Sequence, residues 1–239
     1  MSSSSKLSRD TTGVEVDPTL YRSMIGSLLY LTASRSDIAF SVGICARFQV
    51  APKESHLTAV KRIICYINGT SEYGIWYSRD SNECLAKYSD ADWAGCIDDR
   101  KSISGGCFYL RNNLVSWMSK KQNPVSLSTV EAEYIATASC CAQLLWMKKL
   151  LHDYGITQDT MCVYCDNTSA INLSKNPVQH SKSKHIEIRY HFIRDLVEER
   201  TVYLEFINTK NQKADIFTKP LDGPKFEFLH MTIGVSIIP

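Results

Sequence analysis

Two short apolar stretches of this chain each end in a carboxylate that follows an aromatic by two residues. They are Leu85-Ala-Lys-Tyr-Ser-Asp90 and Met161-Cys-Val-Tyr-Cys-Asp166. Side chains alternate along a strand, so Asp90 shares a face with Tyr88 and Ala86, and Asp166 with Tyr164 and Cys162. If the two strands are neighbours in one sheet, the two carboxylates stand side by side. Between them, Ser128-Thr-Val-Glu-Ala-Glu-Tyr134 opens a long helix, and Ala214-Asp215 opens a later one. Acids delivered from the ends of separate elements make an oxygen donor set for a hard divalent cation. Such like charges raise one another's pKa, and a bound cation removes that penalty. On spacing alone the helix contributes either Glu131 or Glu133. Any single Asp at a strand end is more often a turn residue or a cap, as Asp166-Asn167-Thr168 illustrates.

The rest of the chain supplies the frame. Residues 1–17 are Ser-rich and polar and read as a disordered leader. Asp17-Pro18 starts a helical block over 18–72. Its helices fall within Leu20–Phe48, interrupted near Thr32–Ser36, and over Ser55–Ile67, closed by Asn68-Gly69. Strand patterns follow at Gly74–Tyr77, Leu85–Asp90, Gly106–Leu110 and Leu114–Met118. Thr129–Tyr154 reads as a helix, Cys162–Asp166 as a strand and Thr168–Ser174 as a short helix stopped by Asn176-Pro177. Lys184–Arg200 reads as a helix, Val202–Ile207 as a strand, and Ala214 to Pro220 as helical. This order is an α/β domain over 73–219, opened by a three-stranded antiparallel meander. Residues 220–239 read as a tail with a short helix and an extended end.

Composition narrows the class. Apolar residues make up 44% of the 239, and charged residues 22%, an ordinary globular balance. A net charge of +2 gives no global field for nucleic acid, so any basic surface is local. Nine scattered cysteines argue against a secreted disulfide framework. Cys162 and Cys165, three apart in a strand, point to opposite faces and do not make a zinc pair. The start lacks an apolar signal core, and no run approaches the roughly 20 apolar residues of a membrane span. The expectation is an intracellular protein, cytoplasmic or nuclear, without a membrane partner.

Seven segments then stand in order: Tyr88-Ser-Asp-Ala-Asp-Trp-Ala-Gly95, Asp99-Arg-Lys-Ser-Ile-Ser-Gly105, Ser116-Trp-Met-Ser-Lys-Lys-Gln122, Leu127-Ser-Thr-Val-Glu-Ala-Glu-Tyr-Ile-Ala136, Tyr164-Cys-Asp-Asn-Thr-Ser-Ala-Ile171, Lys184-His-Ile-Glu-Ile-Arg-Tyr-His-Phe-Ile193 and Ala214-Asp-Ile-Phe-Thr-Lys219. Together they resemble the ribonuclease H domain of copia-type retrotransposon Pol polyproteins. Tyr21-Arg-Ser-Met-Ile-Gly-Ser-Leu-Leu-Tyr-Leu31, Arg35-Ser-Asp-Ile-Ala-Phe40 and Ala59-Val-Lys-Arg-Ile-Ile64 resemble that family's link between polymerase and ribonuclease H.

The resemblance implies a ribonuclease H-like mixed five-stranded sheet flanked by helices, preceded by a small helical connector. It implies Asp90, Glu133, Asp166 and Asp215 as the catalytic, metal-binding acids. Glu131, two positions from Glu133, points elsewhere on the helix and makes a capping box with Ser128. Asp92 is read as a supporting or turn residue. The implied cofactor is a pair of Mg2+ ions about 4 Å apart, with Mn2+ as the alternative. The implied reaction is hydrolysis of the RNA strand of an RNA–DNA hybrid, recognised by sugar hydroxyls and groove shape. Products would carry a 5′-phosphate and a 3′-hydroxyl. Arg100, Lys101, Lys120, Lys121 and Lys184 (with Lys182 nearby) are the candidate phosphate contacts, and Asn167 a further substrate contact.

The chain departs from the wider pattern at Asn208-Thr-Lys-Asn-Gln-Lys-Ala214, where many relatives carry a His and this chain has none. His185 and His191, six apart on a helix, are read as solvent or core-edge residues. Trp117 is placed in the core, and Trp93 is a candidate groove residue. A polymerase reading of Tyr88-Ser-Asp-Ala-Asp92 fails, because that family's polymerase centre lies upstream of Tyr21. The competing reading is a catalytically silent relic that binds nucleic acid or protein.

Overall fold

The structure, a computed structural model, describes residues 6–79, 84–175 and 187–237, the side chains of 187–190 excepted. Asp17 and Pro18 start the first helix for the reasons their types suggest. The Asp17 carboxylate accepts from the Thr19 N–H at 2.8 Å, and Pro18 sits where no N–H is needed. In chain order the elements are α1 (Pro18–Leu31), α2 (Ala39–Cys45), α3 (Glu54–Gly69), β1 (Tyr73–Ile75), β2 (Leu85–Asp92), β3 (Ile103–Leu110) and β4 (Asn113–Lys121). Then come α4 (Thr129–Asp153), β5 (Met161–Cys165), α5 (Thr168–Lys175), α6 (Glu187–Glu198), β6 (Val202–Phe206), α7 (Gly223–Thr232) and β7 (Val235–Ile237).

The first three helices bury Tyr21, Ile25, Val42, Val60 and Ile63 together, and the Tyr21 hydroxyl donates to the Cys45 carbonyl at 2.9 Å. Residues 6–17, expected to be a disordered leader, are instead tied down. The Val16 N–H donates to Pro52 O, the Glu54 N–H to Val14 O, and Lys6 pairs with Asp92 at 3.3 Å. Their polar composition hides this, because most of these contacts are hydrogen bonds that need little apolar area.

The main sheet has the order β4-β3-β2-β5-β6. β2, β3 and β4 form the antiparallel meander, while β2–β5 and β5–β6 run parallel. The parallel pair has Tyr88 opposite Tyr164, their rings stacked with centroids 4.8 Å apart. Asp90 and Asp166 each follow that pair by two residues, so they stand at the same level, Asp90 still paired with Gly105 of β3 and Asp166 just past β5.

One face of the sheet is covered by α4 and α6, with Leu85, Phe108, Val163, Tyr134, Leu144 and Ile193 in a single cluster. The other face packs Cys107, Tyr109 and Leu114 against Phe217, Leu229, Ile233 and Val235. Three details of bounds and partners differ from the expectation. The strand expected at Gly74–Tyr77 is β1, which pairs with β7 in a separate two-stranded ladder. The segment expected to be helical from Ala214 to Pro220 is a short 3-10 helix, Lys213–Phe217, which turns tightly. Residues 220–237, expected as a tail with a short helix and an extended end, form α7 and β7, and both supply part of that second apolar cluster. Trp117 is half-buried, and its indole N–H donates to Thr32 O at 3.0 Å, joining β4 to the end of α1. The segment 184–186 of the expected helix lies outside the described residues. Among those described, no helix is long and apolar enough to cross a membrane.

Gly105 on β3 lies against the turn that carries Asp215. A methyl group there would stand 2.9 Å from the Ala214 carbonyl oxygen and 3.0 Å from Phe217 Cβ. Backbone cannot yield as a flexible side chain does, so Gly105→Ala is expected to cost about 1–3 kcal/mol. Thermal unfolding reads the loss, and a parent-like midpoint would show that the turn shifts freely.

Candidate metal centre

Four acids converge at the carboxyl ends of β2 and β5. Asp90 is 2% exposed. Its Oδ2 accepts a short hydrogen bond from the Thr218 hydroxyl and lies 3.6 Å from Lys219 Nζ. Glu133, also buried, projects from the first turns of α4, and its Oε1 accepts the Ala91 N–H at 3.0 Å. That bond pins the glutamate over the end of β2. Asp166 is half-buried just past β5, and its Oδ2 accepts the Thr209 hydroxyl at 2.8 Å. Ligand atoms of Glu133, Asp166 and Cys165 all lie within 4.8 Å of one another. Asp215 is buried on the 213–217 turn, with Lys219 Nζ 2.8 Å from Oδ1, an ionic contact without hydrogen-bond alignment, and Lys225 Nζ 3.7 Å from Oδ2.

The electrostatics follow from that crowding. Burial, then the charges of Asp90 and Asp166, push the Glu133 carboxyl well above its ordinary range. Burial and Asp90 push Asp215 up to about 7 despite Lys219 and Lys225. Burial works against charge on Lys219, but Asp90 and Asp215 outweigh it and hold the ammonium above the usual lysine range. Burial also pushes the Cys165 thiol up, so it stays protonated and the donor set is carboxylate oxygen. Buried, mutually repelling carboxylates with hard oxygen donors fit magnesium or manganese.

The other expected residues are placed as follows. Glu131 Oε2 accepts the Leu127 N–H at 2.7 Å while Ser128 Oγ accepts the Glu131 N–H, so it serves the start of α4. Asp92 pairs with Lys6. Asn167 Oδ1 accepts the Ala170 N–H at 3.0 Å and caps α5, which leaves its amide N–H donors for a substrate. Lys121 is held by Asp99 at 2.9 Å, and Lys101 sits in the same turn, its N–H donating to Asp99. Arg100 in that turn has φ +55°. Lys120 lines a groove between β4 and the connector, with Thr32 and Ala33. The acidic partner of Lys101 and Lys121 is thus Asp99, outside the four-acid cluster. His191 is exposed beside Arg194, and Trp93 donates its indole N–H to Ser126 O at 3.0 Å. Lys182, Lys184 and His185 lie outside the described residues.

Lys219, Thr218, Thr209 and Lys225 are the residues that sequence reasoning passed over. Lys219 carried a signal, since it lies four positions after Asp215. Lys225 carried none, because it comes from α7, beyond the expected domain boundary.

No family model matches the chain. It is 42% identical over 241 residues to the retrovirus-related Pol polyprotein from transposon RE1 of Arabidopsis thaliana, covering all of this chain and 16% of that protein. It is 41% identical over 216 residues to the Pol polyprotein from transposon TNT 1-94 of Nicotiana tabacum, covering 90% of this chain and again 16% of the relative. The chain belongs to the Pol polyproteins of copia-type retrotransposons. This Pol chain thus spans about a sixth of the length of the curated relatives it matches. A foamy viral protease–reverse transcriptase, solved in complex with dsDNA, shares its fold, with a TM-score of 0.52 over 83% of this chain and 39% of that one, at 13% identity. The mixed five-stranded sheet with flanking helices is the ribonuclease H-like fold.

In this Pol chain, Thr209 and Lys225 form a clamp on the acid cluster. Lys225 Nζ donates to Thr209 O at 3.1 Å and to Lys210 O at 2.7 Å, fixing the loop whose Thr209 hydroxyl holds Asp166. Thr209→Val keeps the shape and removes the bond. It is expected to weaken Mn2+ binding severalfold with little change in thermal midpoint, since a hydrogen bond to a half-buried carboxylate contributes about 1 kcal/mol to the fold. Calorimetric titration checks it, and unchanged binding would exclude the clamp.

Proposed function

We propose that this Pol chain hydrolyses the RNA strand of RNA–DNA hybrids with divalent metal ions. The observation that carries the reading is the Tyr88–Tyr164 register, which sets Asp90 and Asp166 at one level, with Glu133 close to Asp166 and bonded to the Ala91 N–H next to Asp90. Asp90, Glu133, Asp166 and Asp215 would hold the ions. Two such ions, when bound, supply an activated water and stabilise the leaving oxygen. The chain's own residues supply position. The Ala91 N–H orients Glu133, the Thr209 hydroxyl orients Asp166, and the Thr218 hydroxyl orients Asp90. Orientation of this kind sets the donor geometry before substrate arrives. Choice of the RNA strand rests on its 2′-hydroxyls and the groove shape of the hybrid.

The silent-relic reading has one observation in its favour: Lys219 already neutralises part of the cluster. One assay separates the two. An end-labelled hybrid incubated with the full chain and Mg2+ is expected to be nicked in its RNA strand, leaving 5′-phosphate and 3′-hydroxyl ends. Asp166→Asn is expected to fall to the uncatalysed background. A folded parent chain that leaves the hybrid intact in both Mg2+ and Mn2+ would favour the relic.

A further inference from the structure

The side chain of Lys219 leaves the turn that carries Asp215 and folds back between two of the four acids. Its ammonium lies 2.8 Å from Asp215 Oδ1 and 3.6 Å from Asp90 Oδ2, with the side chain 31% exposed. The backbone is held up to this lysine: the Thr218 hydroxyl donates to Asp90, and the Lys219 N–H donates to Asp215 O at 3.3 Å. A divalent ion shared by Asp90 and Asp215 needs oxygens at about 2.0–2.6 Å. An ammonium within 2.8 Å of one of those oxygens lies within the volume such an ion needs. Lys225 is different, because two backbone carbonyls fix it and it stands 3.7 Å from the other Asp215 oxygen.

We infer that Lys219 is a tethered cation that holds the position shared by Asp90 and Asp215, and that it must swing out for a divalent ion to bind there. The inference rests on the metal reading above and deepens it. Lys219 then sets the affinity of one ion position and supports the fold when no ion is bound. These two effects have opposite signs on removal of the lysine. An ordinary structural ion pair would lower stability on removal without raising ion affinity.

The test uses the full chain, its Lys219→Ala and Lys219→Gln variants, and Mn2+ titrated at constant ionic strength with the free ion followed by electron paramagnetic resonance. Both variants are expected to bind one Mn2+ at least tenfold more tightly than the parent. Without divalent ions both are expected to melt below the parent, with the gap closing as Mn2+ is added. Methylammonium added to Lys219→Ala is expected to weaken Mn2+ binding back toward the parent value, which a structural role would not produce. Variants that bind Mn2+ no more tightly than a binding-competent parent would overturn the role of Lys219 and leave the metal centre standing. If neither parent nor variants bind Mn2+, both fall together. Binding by the variants alone would support the inference. Lys219→Gln keeps a hydrogen-bonding group and decides the matter where Lys219→Ala fails to fold.

Discussion

Asp90→Asn is expected to abolish hybrid cleavage and, without divalent ions, to flatten the dependence of stability on pH. Asp90 is the carboxylate that the others meet. After burial, it is the largest influence raising both Glu133 and Asp215. Asp215 stands at about 7 in the folded chain, against about 4 for an unfolded aspartate. A raised folded pKa means that the native state holds the extra proton between those values. Stability from this group is therefore greatest below about pH 4 and is lost as pH rises through about 7. Asparagine keeps a hydrogen-bond acceptor for Thr218 and removes the charge, so Asp215 falls toward its ordinary range and the slope diminishes. Thermal unfolding of parent and variant across that window, with a chelator present, measures it. A variant as steep as the parent would show that Asp90 is not the source of the repulsion.

The second large effect lies in the connector. Arg35 and Asp37 are 6% and 5% exposed and form a two-pronged pair, Nε–Oδ1 at 3.0 Å and Nη2–Oδ2 at 2.8 Å. The guanidinium also donates to Thr70 O and Oγ1, and Asp37 accepts from the Tyr66 hydroxyl at 2.7 Å. His230 Nε2 of α7 lies 3.5 Å from the same carboxylate, so the network joins the connector to the sheet domain's last helix. Burial alone would raise Asp37, but hydrogen bonds from His230, Arg35 and Tyr66 outweigh it and hold the carboxyl well below the usual range. That contribution is fully present above about pH 4 and is lost as pH falls below it. Removing one partner leaves a buried charge uncompensated, at a cost of about 3–5 kcal/mol. Arg35→Met or Asp37→Asn should therefore lower the thermal midpoint by about 6–20 °C for a chain of this size. The double variant Arg35→Met with Asp37→Leu should recover much of the loss, since apolar replacement removes both charges together. Single variants that melt within a degree or two of the parent would show that water enters the network freely.

Much of this was legible in the chain itself. Asp17-Pro18 and Ser128 mark helix starts by local hydrogen bonding, and alternation marks β2 and β5 with their terminal acids. Glu131 could be separated from Glu133 because two positions on a helix point different ways. Asn167 caps α5 through its Oδ1, a bond to Ala170 that its place before Thr168 allows. Other features were beyond reach. β1 pairs with β7 although almost the whole domain separates them in sequence. Lys225 touches Asp215 only because α7 packs on the sheet's second face.

By itself the sequence determined the kind and order of the elements, the apolar face of each, and the acids near their ends, with Glu131 or Glu133 open on spacing alone. Those properties are local, since periodicity and capping act within a few residues. Only the tertiary structure decided that Tyr88 stands opposite Tyr164, and that Lys219 turns inward between Asp90 and Asp215. Strand partners and ion partners depend on which surfaces meet, and a period of two or of 3.6 residues says which side of an element is apolar without saying what will cover it.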